Sequence, residues 1–165
     1  MLRIAVVDDE AEQRELIESF LARFACEQRR EIIVDTYCNG FDFLSVFDQR
    51  YDAVFLDIQM PDANGIQVAE EIRAIDQRVK IIFITNLGQN AVQGYAVRAM
   101  DFIVKPLEWE SFSEKMRLFC RDYDDEQPRF ITIHNADGLV RLRTDRILFA
   151  ELINRKLHVH TLDGD

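Results

Sequence analysis

Asp8-Asp9 follow the apolar run LRIAVV, Asp57 follows YDAVFL, Thr85 closes KIIFIT, and Lys105-Pro106 follow DFIV. Three carboxylates would suit a hard cation such as Mg²⁺, which takes oxygen ligands and keeps several waters. A hydroxyl and an ammonium would suit a phosphoryl group, the ammonium acting as a point charge. The combination fits transfer of phosphorus to a carboxylate. Such a nucleophile needs its own charge and that of the incoming group masked, and a metal does this.

That chemistry requires four distant segments to meet. An open parallel α/β sheet achieves this, because the carboxyl ends of its strands lie along one edge and ligands bind there. The first 121 residues alternate apolar runs with helical periodicity. Strands are predicted near 2–7, 31–37, 52–56, 80–84 and 101–104, and helices near 10–25, 40–48, 65–76, 88–97 and 108–121. Continuous runs such as IIFIT suit strands buried on both faces. Leu16, Ile17, Phe20, Leu21 and Phe24 form one stripe on the first helix. Five such repeats with short connections predict a flavodoxin-like, doubly wound, five-stranded parallel sheet.

The chain has 165 residues, which suits one ordinary domain plus part of a second. It is 48% hydrophobic and 30% charged, as soluble globular proteins are. No apolar stretch exceeds strand length, so no membrane contact is expected. MLRIAVVDDE lacks the charged n-region and cleavable apolar segment of a secretion signal. Cys26, Cys38 and Cys120 are scattered, without C-x-x-C spacing. They fit a reducing cytoplasm and argue against disulfides or zinc.

Of the formal charge of −10, residues 1–122 carry −8, with 14 basic against 22 acidic side chains. Such a surface repels nucleic acid, whose phosphates need neutralising cations. Residues 127–165 hold 6 basic and 5 acidic residues, so any DNA contact belongs there. The intervening RDYDDEQPR is polar and acidic and contains Pro128, so residues 122–128 read as a linker. Beyond it, FITIH, LVRLR, ILFAEL and KLHVHTL are strand-like, and Asn-Ala-Asp-Gly at 135–138 is a hairpin signal. Residues 129–165 therefore read as a partial all-β segment, too short to bury much core and expected to be incomplete.

Each chemical residue has an ordinary explanation on its own. Asp8-Asp9 could cap a helix, Thr85 could be a plain strand residue, and Lys105 a surface lysine. Four coincidences at four strand ends are hard to sustain together. In this order and context, Asp8-Asp9, Asp57-x-x-Met60-Pro61 with Gly65 beyond, Thr85 and Lys105-Pro106 resemble the receiver domain of bacterial two-component response regulators. The resemblance covers about residues 1–121. It implies that Asp57 accepts a phosphoryl group from the phosphohistidine of a sensor histidine kinase. It further implies Mg²⁺ bound directly by Asp9, Asp57 and the Gln59 carbonyl and through water by Asp8. Lys105 would pair with the phosphate, its bond to Pro106 would be cis, and Thr85 and Phe102 would form a switch pair. The switch would alter the surface carried by residues 88–97, 101–104 and 108–121. Phe102 stands where many relatives have Tyr, and Asn86 where many have a small residue.

Residues 129–165 resemble the start of a LytTR-type DNA-binding domain, with ILFAEL, a polar turn and KLHVHTLDGD in order. The combined resemblance implies a transcription regulator that binds DNA through the complete domain and forms a homodimer on phosphorylation. An interaction module without DNA output is the alternative. An aspartyl phosphatase would need Asp-x-Asp, and position 59 is Gln, so a phosphoacceptor rather than a turnover enzyme is expected. A dinucleotide-binding dehydrogenase would need G-x-G-x-x-G after the first strand, which is missing. His158 and His160 share a strand face, but no further metal ligands converge on them; an exposed strand is the better account.

Overall fold

Five apolar runs of the first part pair side by side, all parallel, in the order β2-β1-β3-β4-β5. They are β1 (Leu2–Val7), β2 (Ile32–Tyr37), β3 (Ala53–Asp57), β4 (Lys80–Thr85) and β5 (Asp101–Val104). The helices between and after them are α1 (Ala11–Gln28), α2 (Gly40–Val46), α3 (Gly65–Ile75) and α4 (Trp109–Glu126). The computed structural model describes residues 1–61, 64–86, 97–135 and 138–162. The helix expected at 88–97 lies almost wholly outside the described residues. The doubly wound flavodoxin-like sheet expected from the sequence is the one observed.

Alternation along each strand builds the two layers. Ala5, Val7, Val54, Leu56, Ile81 and Phe83 face one side, where they pack with Phe43 of α2 and Ile66, Val68, Ala69 and Ile72 of α3. Phe55 faces the other side and stacks on Phe112 of α4, which also meets Phe20 of α1. The central strands are buried throughout, which is why they read as continuous apolar runs rather than alternating ones.

Helix ends depart from the sequence reading in two places. α1 continues to Gln28 and closes on Arg29, which takes a left-handed φ of 50° and donates to the Ala25 and Cys26 carbonyls; no glycine marked this stop. α4 runs to Glu126, so residues 122–126, expected in a linker, are helical. Nothing in that acidic stretch breaks a helix, and Tyr123 packs one turn on from Phe119. The helix stops where Pro128 disfavours α geometry at the residue before it.

The chain divides into two units, Met1–Arg117 and Leu118–Asp165. Beyond α4, the second unit holds two antiparallel pairs: β6 (Phe130–Asn135) with β7 (Gly138–Arg143), and β8 (Ile147–Ile153) with β9 (Lys156–Thr161). Gly138 has φ +134°, a conformation that only glycine adopts readily, as the hairpin signal requires. Asn154 and Arg155 both have positive φ and form the two-residue turn between β8 and β9.

Gly65 opens α3 directly beneath the end of β3. Its N–H donates to the Ile58 carbonyl at 3.0 Å, and a Cβ there would lie 2.0 Å from the Asp57 carbonyl oxygen. No side chain fits without moving the helix or the Asp57 backbone. Within a helix, glycine to alanine ordinarily stabilises by about 1 kcal/mol. Here Gly65→Ala is expected to destabilise instead, with a lower urea midpoint at unchanged slope.

Candidate functional site

The strand register brings the chemistry together. Val7 pairs with Leu56 and Asp57 with Ile84, so Asp8 and Thr85 emerge beside Asp57 at the carboxyl edge. Thr85 pairs with Val104, so Lys105 emerges next along the same edge. Its N–H donates to the Thr85 carbonyl at 2.9 Å, and its bond to Pro106 is cis.

Asp8, Asp9 and Asp57 each offer a carboxylate oxygen within 4.8 Å of the others. The Asp57 carboxylate is 3% exposed; Oδ2 accepts from Lys105 Nζ at 2.8 Å and Oδ1 from the Gln59 N–H at 3.1 Å. Asp8 Oδ1 accepts the Glu10 N–H at 2.9 Å, while Oδ2 lies 2.9 Å from Lys105 Nζ as an ion pair. The Lys105 side chain is 4% exposed. Burial alone would lower its pKa, but the bonds to Asp57 and Asp8 outweigh burial and hold it above the ordinary lysine value. For Asp8 the balance runs the other way: burial raises the carboxyl above its usual range, Asp57 adds repulsion, and Lys105 offsets them only in part.

The donor set fits a divalent cation. Among the described residues, Asp9 Oδ1 is a buried oxygen without a hydrogen-bond partner, a costly arrangement unless an ion or its water completes it. Thr85 Oγ1 is likewise buried and unpartnered, with the threonine 2% exposed. The edge therefore carries an oxygen trio able to hold a metal, an ammonium and an unpartnered hydroxyl, with the Asp57 carboxylate among them.

Other residues named from the sequence are placed as follows. Gln59 is exposed, and its backbone forms a bridge to Asn64. Phe102 stacks on Phe83 with ring centroids 5.4 Å apart and packs against the core. Asn86 is exposed beyond β4. In the second unit, His160 Nε2 lies 2.8 Å from Glu151 and its ring stacks on Phe149; neither it nor His158 joins a metal-capable group among the described residues. Two neighbours of the crevice escaped the sequence reading. The Arg14 guanidinium donates to the Asp8 carbonyl at 2.6 Å, and the Glu10 carboxylate lies 3.5 Å from Lys105 Nζ. Both are charged residues on a helix start, where a solvated face is the ordinary expectation, and only the tertiary fold makes them part of the site.

Comparison with known proteins bears on this arrangement. The chain is 27% identical to the sensory transduction protein LytT of Bacillus cereus, over 98% of this chain and 70% of that protein. It is 34% identical to the transcriptional regulatory protein YpdB of Escherichia coli, over 89% of this chain and 61% of that one. Among solved structures, the response regulator TrrA of Thermotoga maritima, in complex with Mg²⁺ and BeF, is 35% identical with a TM-score of 0.60, covering 72% of this chain and 99% of that one. With residues 4–117 matching the response regulator receiver domain over the sheet edge just described, the chain belongs to the response regulator receiver family.

Proposed function

We propose that Asp57 accepts a phosphoryl group from the phosphohistidine of a sensor histidine kinase. The observation that carries this reading is the Asp57 carboxylate held 2.8 Å from a buried ammonium inside a metal-capable trio of acids. One Asp57 oxygen bonds to phosphorus as the phosphorus–nitrogen bond to the donor imidazole breaks, the ring nitrogen keeping the bonding pair. Lys105 shields a phosphoryl oxygen, and Thr85 Oγ1 donates to another. Asp9, Asp57 and the Gln59 carbonyl would hold Mg²⁺, with Asp8 acting through water. The ion would neutralise the charge that otherwise keeps phosphate from a carboxylate. Gln59, standing where an aspartyl phosphatase carries a second acid, supports a phosphoacceptor rather than a turnover enzyme.

Thr85 and Phe102 are the proposed switch. Movement of the Thr85 hydroxyl onto the phosphoryl group vacates space into which the Phe102 ring turns. Residues 1–121 are read as the receiver, and 129–165 as the opening strands of a LytTR-type DNA-binding domain. Likeness to YpdB, a transcriptional regulatory protein, supports a transcription regulator, which we read as working in the cytoplasm, binding DNA through the complete output domain and dimerising on phosphorylation. Among the described residues no helix is long and apolar enough to cross a membrane.

Two outcomes are expected. Incubation with acetyl phosphate and Mg²⁺ yields one phosphoryl adduct by intact mass, lost without Mg²⁺ and in Asp57→Asn; a folded wild type with no adduct would refute the reading. For Asp8→Asn, the sign follows from the raised carboxyl pKa. The folded state holds that proton more tightly than the unfolded chain, so ionisation costs stability, a cost present at neutral pH and fading as pH falls through the folded value. Asp8→Asn is therefore expected to melt at a higher temperature than wild type without Mg²⁺. That gap narrows toward low pH, and Mg²⁺ shifts the variant's melting point less than that of wild type.

A further inference from the structure

We propose that Glu10 regulates access of the phosphodonor to Lys105, competing for the ammonium that the incoming phosphoryl group must use. This rests on the phosphoacceptor reading of Asp57. Among the described residues the Lys105 ammonium has three carboxylate neighbours: Asp57 at 2.8 Å, Asp8 at 2.9 Å and Glu10 at 3.5 Å. The first two are buried and held from elsewhere, by the Gln59 and Glu10 backbone N–H groups. Glu10 differs, with a side chain that is 55% exposed and makes no cap bond to α1. It is the carboxylate that can swing into solvent at little cost when a phosphoryl oxygen arrives. Until then it adds negative charge at the mouth of an already acidic crevice.

Glu10 therefore discriminates among donors by charge. A dianionic donor is repelled more than a singly charged one, and the repulsion weakens with salt because the carboxylate is exposed. Acetyl phosphate is a dianion at neutral pH. Asp57 bonds to its phosphorus, the phosphorus–oxygen bond to acetate breaks, and acetate leaves with the pair. Phosphoramidate carries one net negative charge with its nitrogen protonated. Its phosphorus–nitrogen bond breaks and ammonia leaves.

The test measures adduct formation by intact mass for wild type, Glu10→Gln and Glu10→Asp, each at its own saturating Mg²⁺. At low ionic strength Glu10→Gln should react with acetyl phosphate about three- to ten-fold faster than wild type, from one charge removed at close range. The gain should be smaller with phosphoramidate and should shrink at high salt, and Glu10→Asp should fall between the two. Equal gains with both donors, a salt-independent gain, or a slower Glu10→Gln would each overturn the proposal. Matching melting points confirm that the variants share one fold. A wild type that forms no adduct would instead sink the phosphoacceptor reading itself, so the two failures are distinct.

Discussion

One buried ammonium organises the carboxyl edge. Taking a lysine and two aspartates out of water costs several kcal/mol per charge unless each finds a partner, and the Lys105 side chain is only 4% exposed. The partners come from three strands, with Asp8 after β1, Asp57 at the end of β3 and Lys105 after β5. Lys105 is tolerable in its position only because carboxylates from other strands meet it. The ion pairs therefore tie together strand ends that hydrogen bonding alone leaves open, since β3 and β5 are not neighbours in the sheet.

The same arithmetic leaves the crevice unbalanced. Asp8, Asp57 and Glu10 lie around Lys105 and Asp9 adds a further carboxylate beside Asp8 and Asp57, and burial leaves Asp8 with a raised pKa despite its ion pair. An edge so rich in unneutralised oxygen favours a divalent cation and disfavours a phosphate anion arriving unaided. The site is thus built around charge that its own side chains leave uncancelled, which would couple the proposed metal binding to the proposed phosphoryl transfer.

The second unit has a different character. Beyond residue 130, large apolar side chains such as Leu139, Phe149, Leu152 and Leu157 are more than half exposed. Among the described residues its two hairpins pair only within themselves, and an isolated two-stranded ribbon buries little apolar surface. Local contacts hold it: Arg141 lies over the Phe130 ring at 4.0 Å, and His160 stacks on Phe149. The first unit, by contrast, packs helices on both faces of its sheet.

Much of this could be read along the chain because it is set by local physics. Apolar runs of strand length, the 3.6-residue stripe on α1 and the Asn-Ala-Asp-Gly turn each act within a few residues, and the five parallel strands follow from their alternation with helices. That Asp8-Asp9, Asp57, Thr85 and Lys105 share an edge also follows, because a parallel sheet leaves strand ends nowhere else to go. Helix ends were less legible: α1 stops on a left-handed arginine and α4 runs through an acidic stretch, and both depend on packing and caps rather than composition. Only the tertiary structure decided which carboxylates touch Lys105, that Asp9 Oδ1 and Thr85 Oγ1 stay unpartnered, and that Glu10 reaches an ammonium from the far end of the receiver sequence. Those facts depend on strand register and side-chain direction between segments remote in sequence, which periodicity does not encode.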